Sequence, residues 1–351
     1  MKLNPRFWLW SLVIFLLGLF VLPEIGHSWW HYKHRRRITS ESQRIAELIQ
    51  AGDSGYDELV RLVPSLWNPN ISPALKGILA QEKRDRVADL CAIYVACEQK
   101  RNHKEAIARV LGELGDPRAS AVLVKDLESV WKDLALISCD NEIAALGSLK
   151  AREAGDLLLK IIRNKYSWEG SAWRIKEEAF VALGKIGDER ALPDAAGYLE
   201  DGADWYINKG AMNYLTRIGN TAAKEILIKA FQRSRKPELA LCLVQIGETS
   251  VLPDVRIQLN GWLDDFAVHG WGGNWDFFYC IHALIMANDT EAISELRRAL
   301  VVLKKGDAKT REYIRDDASG YSVKLLLDKS KSDTLVSDLE LFLKTNSPAI
   351  Q

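Results

Sequence analysis

The sequence predicts an all-α protein, an α–α superhelix preceded by one transmembrane helix. Two observations carry this. A helix–turn–helix pattern recurs six times through the 351-residue chain, and an apolar run of sixteen residues near the start is followed by a basic cluster.

In chain order, the first element is the run at 7–22, FWLWSLVIFLLGLFVL, interrupted only by Ser11 and Gly18. At about 1.5 Å per helical residue it is slightly short for a bilayer core. Trp29, Trp30 and Tyr32 read as an interfacial belt, and Lys33 with Arg35, Arg36 and Arg37 can snorkel to lipid headgroups. The competing reading is a cleaved export signal, with Lys2 and Arg6 as its basic start and Gly26-His27-Ser28 as a poor cleavage site. The basic cluster just beyond disfavours export. Two Lys/Arg precede the run and four follow it, which places the body of the chain in the cytoplasm as a single-pass membrane protein. His27, His31 and His34 share a helical face. With no carboxylate nearby to orient a metal-bound imidazole, they read as interface rather than as a metal or haem site.

Residues 38–100 carry helical patterns without the repeat's turn, beginning with ESQRIAELIQ and its face of Ile45, Leu48 and Ile49. They read as an N-terminal cap sealing the first repeat. Within them LWNPNISP, 66–73, reads as a loop because of its two prolines and two asparagines.

The repeats follow. In the copy at 175–199, Ile175, Ala179, Ala182, Leu183 and Ile186 recur at helical spacing. Gly187 suits the left-handed residue that ends a helix, Asp188 the cap of the next one, and Pro193 its first turn. Ala191, Leu192, Ala195, Ala196 and Leu199 then form a second buried face. Related turns occur at 110–123, 145–158, 214–227, 243–255 and 283–296, with Lys150 and Asn288 in the slot held elsewhere by Gly115, Gly187, Gly219 and Gly247. The leading leucines or their equivalents, at 111, 146, 183, 215, 243 and 284, give steps of 28 to 41 residues. Two helices per step of that size describe an α-solenoid.

On the Leu-Gly-x-Leu/Ile-Gly-Asp turns, and on Trp173 and Trp205 ten residues before Leu183 and Leu215, the chain resembles HEAT-repeat proteins, most closely the HEAT-like repeats also found in phycobilin lyases. The resemblance covers roughly residues 101–300. It implies a stacked helical superhelix, and leaves both a scaffold and a bilin lyase-like enzyme or tetrapyrrole chaperone open as functions. The last section, 301–351, reads as a C-terminal helical cap and tail. The organisation is thus anchor and basic juxtamembrane segment (1–37), N-terminal cap (38–100), repeats (101–300) and C-terminal cap (301–351).

Charge and cysteine content narrow the function. The net charge is zero, with 47 Lys/Arg and 47 Asp/Glu, yet residues 1–37 hold +5 and the remainder −5. An acidic body argues against nucleic acid as partner. The five cysteines are scattered, without a C-x-x-C, and read as reduced core residues rather than a disulfide frame or metal ligands. Neither glycine-rich phosphate motif is present, so no nucleotide is expected.

The longest repeat step contains NGWLDDFAVHGWGGNWDFFYCIHAL, 260–284. Trp262, Phe266, His269, Trp271, Trp275 and Asp276 make it the leading candidate for a protein-binding surface, since aromatic residues dominate such contacts. The alternative is that these rings pack between helices. Asp264, His269, Asp276 and His282 are also acid/base types, but no nucleophile motif accompanies them, and catalysis is not expected. RNKYSWEGSAWRIK (163–176) adds Tyr166 and Trp168 among basic residues, and EDGADWYINK (200–209) adds Tyr206. The aromatic and basic mixture there suits an acidic peptide. The expected function is a membrane-anchored scaffold or adaptor holding a protein partner, with no cofactor and no metal. Its membrane interface is formed by Trp29, Trp30, Tyr32, Arg35, Arg36 and Arg37.

Overall fold

The computed structural model describes residues 34–97, 100–130, 139–164, 172–200, 205–269, 275–305 and 335–346, and every regular element among them is helical. The chain divides into two compact units, one up to Val122 and the other from Leu123.

In the first unit, residues 34–50 form helix α1, which runs unbroken through Arg35–Arg37 into the 38–50 segment. It is followed by α2 (Asp53–Leu62), α3 (Asn68–Leu79), α4 (Arg86–Ala96) and α5 (Arg101–Leu114). α3 corrects the loop expected at 66–73. Pro69 lies in the first turn of this helix, where a missing N–H costs nothing, and Pro73 lies within it. The start of α3 is capped from a distance: the Glu41 carboxylate of α1 accepts from the Trp67 backbone N–H and from Asn70 Nδ2, both at 3.0 Å. A carboxylate 26 residues upstream thus replaces the local cap that the Asn/Pro pattern lacks.

The second unit takes in α7 (Asp140–Ser148), α8 (Gly155–Arg163), α9 (Ala172–Ile186), α10 (Leu192–Glu200), α11 (Trp205–Ile218), α12 (Thr221–Ser234), α13 (Pro237–Gln245), α14 (Leu252–His269), α15 (Trp275–Met286), α16 (Ile293–Lys305) and α17 (Leu335–Asn346). Helix α6 spans Ser120–Val130. The odd-numbered helices from α7 to α15 pack each on the next, as do α10 with α12 and α14 with α16, and α17 packs on α15 and α16. The unit is therefore a two-row helical repeat, as the period implies.

The turns between paired helices repeat closely. Gly115, Lys150, Gly187, Gly219, Gly247 and Asn288 all have positive φ, between 51° and 82°. Lys150 and Asn288 accept the same left-handed conformation as the glycines they replace. Three positions after each turn's capping residue a small side chain is buried: Ala119, Ala154, Ala191, Ala223, Val251 and Ala292. The predicted faces hold in part: Ile175, Ala179, Ala182, Leu183, Ala191 and Ala195 are all at most 1% exposed, whereas Ile186, Leu192, Ala196 and Leu199 are only half-buried.

Gly147 and Gly184, which come earlier in their turns, have a different task from the left-handed residues. Each admits the neighbouring helix. A Cβ on Gly147 would lie 2.7 Å from the Ala182 Cα, and one on Gly184 3.2 Å from the Tyr214 Cα. Gly210 plays the same part, 2.8 Å from the Glu177 Cα. These contacts bring α7, α9 and α11 to backbone-to-backbone approach.

The even row is held by exposed ion pairs. Asp188 caps its turn by accepting from the Arg190 N–H, and the Arg190 guanidinium folds back on Asp188 while also reaching Asp156 of α8 at 2.6 Å. Arg163 pairs with Asp194, Lys224 with Glu248, Arg235 with Asp254, Arg256 with Glu291, and Arg298 with Asp264. In the first unit Arg118 makes the same fork, to Asp116 and to Asp85.

Among the described residues no helix is long and apolar enough to cross a membrane. The run at 7–22 and the interface residues Trp29, Trp30 and Tyr32 lie outside them, as do His27 and His31. All five cysteines are free thiols and four are buried, with Cys91 half-buried.

Candidate functional site

A folded repeat keeps ionisable groups out of its interior unless they are paired or used. The odd row breaks that expectation along much of its length. Asp140 and Glu142 of α7, Glu177 of α9, Lys209 and Asn213 of α11 and Glu238 of α13 are all buried. Most lie in the N-terminal half of their helix, on the row whose helices follow the long insertions.

Two groups form. In the first, Arg174 Nη2 sits 2.6 Å from Asp140 Oδ2, while Asp140 Oδ1 has no hydrogen-bond partner. Burial raises the Asp140 pKa, with Arg174 opposing. Glu177 is fully buried and neither of its carboxylate oxygens has a hydrogen-bond partner. Its removal from water disfavours ionisation, an effect that the Lys209 charge works against. The Lys209 ammonium is in turn pushed down by burial, opposed first by Glu177. The backbone contact at Gly210 brings the helices bearing Glu177 and Lys209 together.

The second group contains Asp276, which the sequence had marked. It is half-buried with its pKa raised by burial, and Lys236 opposes the shift. Glu238 stands near it with its own carboxyl raised, first by burial and then by the charge of Asp276. Glu238 Oε2 lacks a hydrogen-bond partner. Sequence reasoning missed Glu238, Glu177 and Lys209. The available signal was an isolated charge inside an apolar segment, as in PELALCLVQ.

The aromatic candidates divide. Phe266 is buried and meets the Phe277 ring edge-on at 5.1 Å, and Phe278 and Tyr279 are core residues as well. Trp262 is half-buried and lies over Phe266, rings 6.4 Å apart. Phe266 therefore supports the surface from beneath, and Trp262 is the ring that reaches it. His269 ends α14, Trp275 begins α15 and Tyr206 is in α11; their side chains, and all of Trp271, Tyr166 and Trp168, lie outside the described residues.

The acid/base types are divided between two helices, and the His269 side chain lies outside the described residues. Asp264 is turned to Arg298 at 2.5 Å, in the even row, whereas Asp276 and His282 belong to α15 in the odd row. Of the basic strip expected to face an acidic peptide, three members make contacts within the fold, and Lys165 lies outside the described residues. Arg163 is bound to Asp194, Arg174 to Asp140, and Lys176 donates to the Tyr198 hydroxyl at 2.9 Å. What remains along the odd row is acid-rich. Among the described residues no group of His, Cys, Asp and Glu is arranged to hold a metal ion.

No family model matches the chain, and no curated protein matches it.

Proposed function

We propose that the chain is a HEAT-like solenoid, tethered to a membrane by its apolar leader, that holds a protein partner along the odd helical row. The observation that carries the reading is the acidic pair at the starts of α13 and α15, Glu238, whose Oε2 has no hydrogen-bond partner, and the half-buried Asp276. Such groups are costly in a folded protein unless a donor arrives. A partner segment rich in Lys or Arg supplies both donors and countercharge, so the bound segment is basic rather than acidic. Trp262, with the aromatic residues of the 260–279 stretch, provides the apolar contact. The six left-handed turns and the two-row packing support the solenoid, and the basic cluster after residue 22 supports a cytoplasmic body. The scaffold performs no chemistry on its partner.

The test is in-cell crosslinking and pull-down of the full-length protein. It is run beside Trp262→Ala/Trp271→Ala/Trp275→Ala and beside Glu238→Gln/Asp276→Asn, each checked for helicity by circular dichroism. The expected result is one protein captured by the parent and lost from both folded variants. Equal capture by parent and variants removes the odd row as the site. A coloured small molecule that copurifies with no protein overturns the scaffold and favours the lyase-like function.

A further inference from the structure

The first unit contains an open cleft of about 570 Å³ lined by Arg37, Trp67, Asn68, Lys100, Arg101 and Asn102, with Ser65, Leu66 and His103 completing its wall. Among the described residues no acidic side chain lines it. From this cleft we infer a binding site for a phosphate group carrying two negative charges, either the headgroup of an acidic phospholipid or a small phosphate ester.

The walls are built for an anion. Three cations converge from α1 and from the start of α5. The Arg37 guanidinium stacks 5.5 Å from the Trp67 ring centre, and its Nε is held by Glu41 at 2.9 Å. Glu41 also takes the Trp67 backbone N–H, so one carboxylate fixes both the ring and the guanidinium. Lys100 is anchored at 2.5 Å on the Pro64 carbonyl, and His103 is fixed on the Leu66 carbonyl at 3.0 Å. The exposed amides of Asn68 and Asn102 add neutral donors.

The start of α5 adds a further donor end to the cleft. Lys100 is the N-cap and Arg101 the first residue of α5, a helix with no side-chain cap and no acid in its first turn. A helix dipole disfavours positive charge at that end. An anion in the cleft would be favoured both by the Lys100 charge and by this end of the α5 dipole. The sequence contains no glycine-rich phosphate loop, so the site uses side-chain charge and amides instead. The location also suits a lipid source. Arg37 is fifteen residues beyond the end of the 7–22 apolar run, and the cleft includes the basic segment expected at the headgroup level.

The experiment uses the full chain in neutral detergent micelles at fixed ionic strength. Thermal unfolding is followed with inorganic phosphate, dioctanoyl phosphatidic acid or dioctanoyl phosphatidylcholine, with chloride as the salt control. Two variants are compared with the parent. Lys100→Gln/Arg101→Gln removes the charges, and Asn102→Asp places a repelling carboxylate in the cleft. Both favour the α5 dipole, so both are expected to fold at least as well as the parent. In the parent, phosphatidic acid and phosphate raise the melting temperature, and in both variants the apparent affinity falls about tenfold or more. A rise with phosphate alone identifies the source as a free phosphate ester. The inference is overturned by a parent that responds to neither phosphate compound, by variants that keep the full response, or by an equal response to phosphatidylcholine.

Discussion

Replacing Gly147 by alanine tests the close approach of the odd-row helices directly. A Cβ at this position would stand 2.7 Å from the Ala182 Cα and 2.9 Å from its Cβ. Ordinary carbon contacts are about 3.5–4.0 Å, so α7 and α9 must separate by roughly 1 Å. The obstacle is backbone and a methyl group, neither of which can rotate away. Overpacking of this kind costs about 1–3 kcal/mol, against which alanine returns about 1 kcal/mol of helix propensity. The net expectation is a loss of up to about 2 kcal/mol. Gly197→Ala in α10 is the matched control, because nothing lies within 4 Å of its added Cβ and its φ is ordinary. It is expected to gain about 0.5–1 kcal/mol. Urea denaturation followed by circular dichroism measures the difference. Hydrogen exchange at α7 and α9 localises it, since a repeat array need not unfold in one step. Stability of Gly147→Ala equal to or above that of Gly197→Ala would refute the reasoning.

The other expectations rest on different parts of the molecule. Lys150 holds φ at 54° where glycine is standard, so Lys150→Gly gains up to about 1 kcal/mol, and Gly187→Ala, at φ 79°, loses a similar amount in the same assay. Burial raises the Glu238 carboxyl above its ordinary 4.5, so the folded state binds the proton more tightly than the unfolded chain does. Stability therefore falls as pH rises from about 4.5 through the folded-state value, and Glu238→Gln flattens that fall; identical pH profiles of parent and variant count against it. The Cys242 thiol, fully buried, is pushed up to about 12, whereas Cys91 is half-buried. Alkylation of the native protein accordingly modifies Cys91 first and reaches Cys242 only on unfolding, as peptide mass mapping will report.

The repeat was legible because its signals are local. A left-handed helix end selects glycine or asparagine, and a buried helix face has a fixed spacing, so both can be read along the chain. Lys150 shows how far the pattern reaches: the register of neighbouring copies identifies its backbone state although its side chain argues otherwise. The first half of the helix at 68–79 was read as a loop for the opposite reason. Its start is satisfied by Glu41, 26 residues upstream of Trp67, and no local pattern announces a cap supplied from another helix. The Asp-x-Arg forks had a visible spacing at 116–118 and 188–190, but their second partners, Asp85 and Asp156, become neighbours only when helices stack. Of the candidate site, Asp276 and the aromatic stretch were readable as unusual composition. Glu177, Lys209 and Glu238 were not, since a charge in an amphipathic helix is normally solvated and only the third dimension shows that these are buried.

The two rows divide the physical work, and this bears on where function lies. The even row uses exposed ion pairs, which set register at little energetic gain and tolerate substitution. The odd row uses glycine-mediated backbone contact, which fixes its helices closely and leaves no room for side chains to adjust. Buried carboxylates were placed in that rigid row, not in the adaptable one. A rigid wall keeps incompletely satisfied groups at fixed separations, as a recognition surface requires, whereas a wall free to relax would close over them. Loss of partner capture in Glu238→Gln/Asp276→Asn with retained capture in variants of the exposed Arg190 fork would establish that division. The reverse pattern would move the recognition surface to the even row.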